Sequence, residues 1–295
     1  MTGPLATAVD SRVPAAAVGK LLRMLRGPRK LVCGILNVTP DSFSDGGAYW
    51  HSGAAVWRGL RLVEEGADIL DVGGESTRPG AYPPSVAEEL DRVVGVVEQL
   101  ARRTDVPLSI DTSRPEVMRE AVAAGATLIN DVRALRHPGA VEMAADLGVP
   151  VCLSHMLRPP NLMQRDPSYD DVLVEVAEFL RERIEVCVSA GIPREHIVVD
   201  PGFGFGKTLE HNLALLRSLS TFTELDAPVM AGLSRKAMLG QITGRPVGDR
   251  EAASVTAAVL AAQRGAKVLR VHDVAATADA LKVLDAVEAG DGAVR

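Results

Sequence analysis

Asn37, Asp111, Asn130 and Asp200 each stand where a short apolar run stops, and another such run, Val268-Leu269, leads into Arg270 and His272. Carboxylates accept hydrogen bonds from ring N–H and NH2 groups, and carboxamides both accept and donate. Together they suit the edge of a planar polar ligand. Two unpaired carboxylates in a protein interior are costly, so a ligand or a basic partner is expected beside them; capping of helices or bonding to nearby backbone is the other reading. Arg270 and His272 alternate around Val271, so in a strand both face one side, and an Arg–His pair at a strand end makes a compact anion clamp. Ser234-Arg235-Lys236 reads as the start of a helix whose N-terminal dipole favours anions, or as a solvated helix start.

The elements that would position these residues repeat along the chain. Cys33 to Leu36 ends at Asn37, Asp68 to Leu70 at Asp71, Leu108 to Ile110 at Asp111, and Thr127 to Ile129 at Asn130-Asp131. Val149 to Leu153 leads to His155, Ile197 to Val199 to Asp200, and Val229 to Ala231 to Ser234 and Lys236. Amphipathic stretches of helical length lie between, including Ser85–Leu100, Pro115–Ala124 and Val172–Val188. Ser113 before Pro115 and Glu116 reads as a helix start. The strands are apolar almost throughout, as in a parallel sheet covered on its outer face. About eight β-then-α units with polar residues at the strand ends predict a (β/α)8 barrel, whose active site forms at the C-terminal ends of the strands.

The bulk figures agree. The 295 residues suffice for one such barrel. A hydrophobic share of 47% and a charged share of 24% are ordinary for a globular protein. A net charge of -6 argues against nucleic acid or an anionic membrane surface as the partner, and no apolar run is long enough to span a bilayer. Cys33, Cys152 and Cys187 have no CxxC spacing; two of them sit inside expected strands as small buried hydrophobes, and the pattern is that of a reducing, cytoplasmic compartment. The expected organisation is a leader over 1–30, a barrel over 31–288 and a tail over 289–295. The leader carries no motif. It reads as loosely attached, with one short helix near Val18–Leu25, and its removal to about Arg26 is expected to matter little. The long loops Val38–Ser52 and Gly73–Pro84 flank one barrel mouth, where binding and lid functions gather.

Six segments in barrel order resemble the dihydropteroate synthases: Asn37 to Gly47, Gly73-Gly74-Glu75-Ser76-Thr77-Arg78-Pro79-Gly80, Ser109-Ile110-Asp111-Thr112, Asp200-Pro201-Gly202-Phe203-Gly204-Phe205-Gly206-Lys207, Ser234-Arg235-Lys236 and Arg270-Val271-His272. The resemblance runs from about Leu31 to about Ala286. It implies condensation of 6-hydroxymethyl-7,8-dihydropterin diphosphate with 4-aminobenzoate, with Mg2+ at the diphosphate, in a homodimer. It places Asp111, Asn130, Asp200 and Lys236 on the pterin, and Asn37, Thr77, Arg270 and His272 on the diphosphate. Asn37 also matches the Mg2+ contact, and Asp111, Lys236, Arg270 and His272 match the catalytic set. Phe43, Thr77, Arg78, Pro79, Phe205, Lys236 and Ala237 match the aminobenzoate pocket, with the two long loops closing over it. Gly202, Gly204 and Gly206 resemble a phosphate cradle, a weak pattern by itself, and read rather as permitting tight backbone turns beneath the pterin.

The chain departs from the family at Ser154-His155-Met156, where many members have Met-His-Met, at Arg158-Pro159-Pro160, where a glycine is common, and at Ala237, where many have serine. No charged group is lost. Two rival readings are a methyltetrahydrofolate-binding methyltransferase, which needs neither the Asn37–Gly47 loop nor the Arg270/His272 pair, and a non-catalytic pterin-binding paralogue, which should have lost some of these residues.

Overall fold

Side chains on a β-strand alternate between its two faces, and here that alternation sorts the apolar strands into two cores. A computed structural model describes residues 15–39, 48–75, 83–157 and 167–289. Its strands are β1 (Leu31–Asn37), β2 (Ile69–Gly73), β3 (Leu108–Asp111), β4 (Leu128–Asp131), β5 (Val151–Ser154), β6 (Ile197–Asp200), β7 (Val229–Ala231) and β8 (Ala266–Val271). All pair in parallel, each with its sequence neighbour, and β8 closes on β1. Outward residues such as Val32, Leu70, Ile110, Ile129, Leu153, Val199 and Leu269 pack against the helices. Inward residues near the strand starts, Leu31, Cys33, Ile69, Leu128, Cys152, Val198, Met230 and Val268, form a separate apolar plug. One pleat further along, the same inward columns carry Asp71, Asp111, Asn130, Ser154, Asp200 and Arg270. The (β/α)8 expectation holds, with one apolar and one polar end to the lumen.

The helices are α1 (Ala15–Arg26), α2 (Ala48–Glu64), α3 (Val86–Ala101), α4 (Pro115–Ala124), α5 (Ala140–Leu147), α6 (Val172–Ser189), α7 (Leu209–Arg217), α8 (Ala237–Thr243), α9 (Glu251–Gln263) and α10 (Val274–Ala289). Ser85 and Glu88 form a reciprocal capping box at α3, and Asp171 caps α6 by accepting from the N–H groups of Leu173 and Val174. At α4 the expected serine start is corrected. Arg114 occupies the cap without a side-chain bond, because the Ser113 hydroxyl is taken by the buried Asp131 carboxylate.

The leader reading is also corrected. Residues 1–14 lie outside those described, but α1 is not loosely attached. Leu21 and Leu25 are buried within the apolar plug and close the N-terminal end of the barrel. Each such leucine contributes about 1.5–3 kcal/mol by leaving water. Lys20 fastens the helix by donating to the Asp105 carbonyl at 2.7 Å. At the other end, α10 reaches Ala289, and residues 290–295 of the expected tail lie outside those described.

Candidate active site

The polar end of the lumen centres on Arg270, the inward residue of β8 nearest its C-terminus. Its Nε donates to Asp71 Oδ2 at 2.6 Å and its Nη2 to Asp111 Oδ2 at 2.6 Å. Asn130 Nδ2 donates to the same Asp71 oxygen at 3.0 Å. Asp111 and Asn130 are register partners on adjacent strands. The Asp71 side chain is fully buried, whereas Asp111 and Arg270 keep 12% and 19% of theirs open, so the last two line the mouth and Asp71 lies beneath them. Burial raises the pKa of Asp111; Arg270 opposes this and Asp71 adds to it. Burial works against the charge of Arg270, but Asp71 and Asp111 outweigh it and raise its pKa. Arg270 is the basic partner that the buried carboxylates require.

Across the lumen, Asp200 Oδ1 accepts from the Gly202 N–H at 2.7 Å. Burial raises its pKa, and the Gly202 bond and Lys236 oppose that. Lys236 extends over the Phe205 ring, its Nζ 3.9 Å from the centroid, a cation–π distance. Burial and Arg270 lower its pKa to about 8, with Asp200 and Asp111 opposing. Phe205 packs against Met156. Burial lowers the pKa of Lys207, just after this segment, to about 7.

The turn carrying Lys236 differs from expectation. Ser234 and Arg235 precede α8 rather than start it, and Arg235 adopts a left-handed φ of 58°. The conformation is held from several sides. Ser254 Oγ accepts the Arg235 N–H at 3.0 Å, Arg250 donates to the Arg235 carbonyl at 3.1 Å, and the Arg235 guanidinium pairs with Asp273. A seven-residue helix begins only at Ala237, which is exposed. Ser234 instead serves His272, its Oγ accepting the backbone N–H at 3.2 Å and sharing a bond with Nδ1 at 3.0 Å. Burial, then Arg270 and Arg235, lowers the His272 pKa to about 4, so the ring is neutral at pH 7. The Arg270–His272 pair therefore carries one positive charge, matched by two carboxylates, rather than standing open as a doubly cationic clamp.

The structure thus brings Asp111, Asn130, Asp200, Lys236, Phe205, Arg270 and His272 to one end of the barrel. Asn37 ends β1 on the same inward column as Cys33 and is register partner of Gly73. Phe43, Thr77, Arg78, Pro79 and Arg158-Pro159-Pro160 lie outside the described residues. Ser154 is buried beside Asp200 in register. His155 is a packed residue, with the Phe179 ring edge-on at 4.9 Å. Two contributors escaped the sequence reading: Asp71, noted only as a strand end, and Lys207, noted only as the last letter of a glycine-rich run. For Asp71 the signal was present, since it shares the inward period-two column of Ile69.

As a metal site, the described residues offer no cluster of three His, Cys, Asp or Glu ligands. The Asn37 amide oxygen is a hard donor suited to Mg2+, an ion that commonly keeps several waters and substrate oxygens. The donor set fits an ion brought largely by a phosphorylated ligand.

Fold and site together define a barrel enzyme built to read a planar, donor-rich heterocycle beside a cationic group. Residues 33–272 match the profile of the family described as pterin binding enzyme. The dihydropteroate synthase of Escherichia coli (strain K12) is 51% identical over 255 residues, which span 86% of this chain and 90% of that protein. The crystal structure of Xanthomonas albilineans dihydropteroate synthase with 4-aminobenzoic acid superposes with a TM-score of 0.85 at 57% identity, covering 91% of this chain and 95% of that one. A complex described as the same organism's enzyme with 7,8-dihydropteroate gives 0.82 and 55%, with coverage of 91% and 95%. The chain belongs to the pterin binding enzyme family.

Proposed function

We propose that this chain is a dihydropteroate synthase, joining 6-hydroxymethyl-7,8-dihydropterin diphosphate to 4-aminobenzoate with release of diphosphate. The observation that carries the reading is the set of Asp111, Asn130 and Asp200 on three strands around one lumen, with Lys236 beside them. Two acceptors and an amide match the donors and acceptors of an aminopyrimidinone edge. The high identity to dihydropteroate synthases over most of both chains supports it.

In this reaction the methylene C–O bond breaks and its electron pair leaves with the diphosphate. The pterin-stabilised methylene cation is then attacked by the aromatic amine, which loses a proton to solvent. Asp111 opposes the positive charge that develops on the ring, while Arg270 and His272 meet the departing anion. For Arg270 to do so, the anion must compete with Asp71 and Asp111 for its N–H groups. Asn37 would hold Mg2+ with diphosphate oxygens and water; when bound, the ion neutralises charge on the leaving group. Phe43, Thr77, Arg78, Pro79, Phe205, Lys236 and Ala237 would surround the aminobenzoate, with the two loops excluding water from the cation.

The same reading carries a cytoplasmic setting, supported by three buried free cysteines and by the absence, among the described residues, of any helix long and apolar enough to cross a membrane. It also carries a homodimer. Exposed Val283 and Val287, one turn apart on α10, are apolar surface that a partner would cover. Diphosphate release by the purified chain, dependent on both substrates and on Mg2+ and matched by dihydropteroate formation, tests the activity. A preparation that binds pterin but releases no diphosphate would support the non-catalytic paralogue instead.

A further inference from the structure

One buried cation has no part in the reaction just described. Lys207 is 4% exposed, yet among the described residues it forms no ion pair. Its Nζ lies 2.9 Å from His155 Nδ1, 2.9 Å from the Gly202 carbonyl and 3.2 Å from the Phe205 carbonyl. Below neutrality Lys207 is an ammonium with three protons to donate and no lone pair, so these three acceptors use all of it. In that state His155 Nδ1 accepts, and the His155 ring proton sits on Nε2.

The segment tied in this way is the platform under Lys236. Gly202, Gly204 and Gly206 hold left-handed φ values of 71°, 77° and 65°. A side chain at Gly202 would overlap the His155 carbonyl oxygen, and a Cβ at Gly204 would stand 3.0 Å from Lys236 Cδ. The turns send Phe203 into the outer core and Phe205 under the Lys236 ammonium. Other groups hold the segment from its far side: Asn212 Oδ1 accepts the Gly204 N–H at 2.7 Å while its Nδ2 donates to the Thr208 carbonyl at 2.6 Å, and Tyr169 donates to the Gly206 carbonyl at 2.8 Å. Lys207 joins both ends of the Gly202–Phe205 turn to His155, the residue that follows β5.

We propose that Lys207 is a positioning residue: by binding the Gly202 and Phe205 carbonyls and the His155 ring at one point, it fixes the Gly204–Phe205 surface on which Lys236 rests. The inference builds on the proposed function, because Phe205 and Lys236 form part of the aminobenzoate pocket there. Of the pterin-reading groups, Asp111 and Asn130 stand on other strands, while Asp200 accepts the Gly202 N–H and Lys236 rests on Phe205.

The test compares the full-length chain with Lys207→Met. Activity of the unsubstituted chain decides the proposed function separately. In Lys207→Met the KM for 4-aminobenzoate should rise about tenfold, the effect of one lost hydrogen-bonding group, and the KM for the pterin diphosphate, which keeps Asp111 and Asn130 but shares Asp200 and Lys236 with this segment, should rise by a smaller factor. Nitrogen-15 NMR of the unsubstituted chain below neutrality should show His155 Nδ1 without a proton and Nε2 carrying one, and Lys207→Met should relax that preference. Unchanged KM values, or equal losses for both substrates that merely follow a lower Tm, would overturn the proposal. If Lys207→Met does not fold, the tautomer decides: a proton on His155 Nδ1 in the unsubstituted chain removes the argument.

Discussion

Arg270 Nε binds Asp71 Oδ2 at 2.6 Å on the floor of the lumen, and the other Asp71 oxygen, Oδ1, is buried with no hydrogen-bond partner among the described residues. The pair anchors the Arg270 guanidinium from below while Asp111 holds it from the side. Asp71→Asn removes the charge that pairs with Arg270 and offers an amide with no waiting acceptor. Breaking a buried pair in this way costs about 3–5 kcal/mol, read as a lower urea midpoint with unchanged slope. An unaltered midpoint would mean that Asp111 alone suffices to hold Arg270.

Asp111→Asn and Asp200→Asn should leave the fold intact and cripple pterin use. Each replaces an acceptor by a group that is half donor, and leaving ligand donors unpaired costs about 1–3 kcal/mol in binding. Asp111→Asn should also lower kcat, because that carboxylate opposes ring charge. Binding of a pterin measured by calorimetry, beside steady-state rates, separates the two effects, and wild-type kinetics in either variant would remove that residue from the site.

Truncation through Arg26 should destabilise the barrel, because α1 supplies Leu21 and Leu25 to the apolar plug. Leu21→Ala isolates the effect, with an expected loss of about 2–5 kcal/mol. A truncated chain that melts at the temperature of the intact one would restore the view that this segment is dispensable.

Two histidines contribute stability that is lost on the acid side, while Asp111, raised by burial to about 7, acts with the opposite sign. Burial, then Lys207 and Arg136, lowers the His155 pKa to about 2; for His272, burial, then Arg270 and Arg235, gives about 4. Both lie below the unfolded value of 6.5. Below 6.5 these two rings take up protons in the unfolded chain that they do not in the folded one, so their contribution to stability is lost as pH falls through that window and is regained as it rises. His272→Gln should flatten the slope of denaturant midpoint against pH between about 6.5 and 4; an identical slope would show that His272 is charged in the fold.

Binding of the two substrates should be ordered. If the loops after β1 and β2 complete the aminobenzoate pocket around a bound diphosphate, the second substrate depends on the first. Calorimetry should give weak or no 4-aminobenzoate binding to the free chain and clear binding once pterin, diphosphate and Mg2+ are present. Equal affinity in both conditions would mean that Phe205, Lys236 and Ala237 already form the pocket without loop closure.

Local sequence determined the units of this protein. Runs such as Cys33 to Leu36 and Ile197 to Val199 are short and wholly apolar, as covered strands are, and their repetition between helical stretches, each ending in a polar residue, marks the open end of a barrel. Asn37, Asp111, Asn130, Asp200, Arg270 and His272 could be placed there because position within a strand is a local property. Charge state and pairing were not local. Arg270 finds Asp71, 199 positions away, only because closure of the barrel puts β8 within reach of β2, and the neutral His272 follows from burial beside Arg270 and Arg235. The role of Lys207 depends on β5 delivering His155 to it. The plug made by α1 was hidden for the same reason, since its Leu21 and Leu25 meet their partners only after all the strands have closed the lumen they fill.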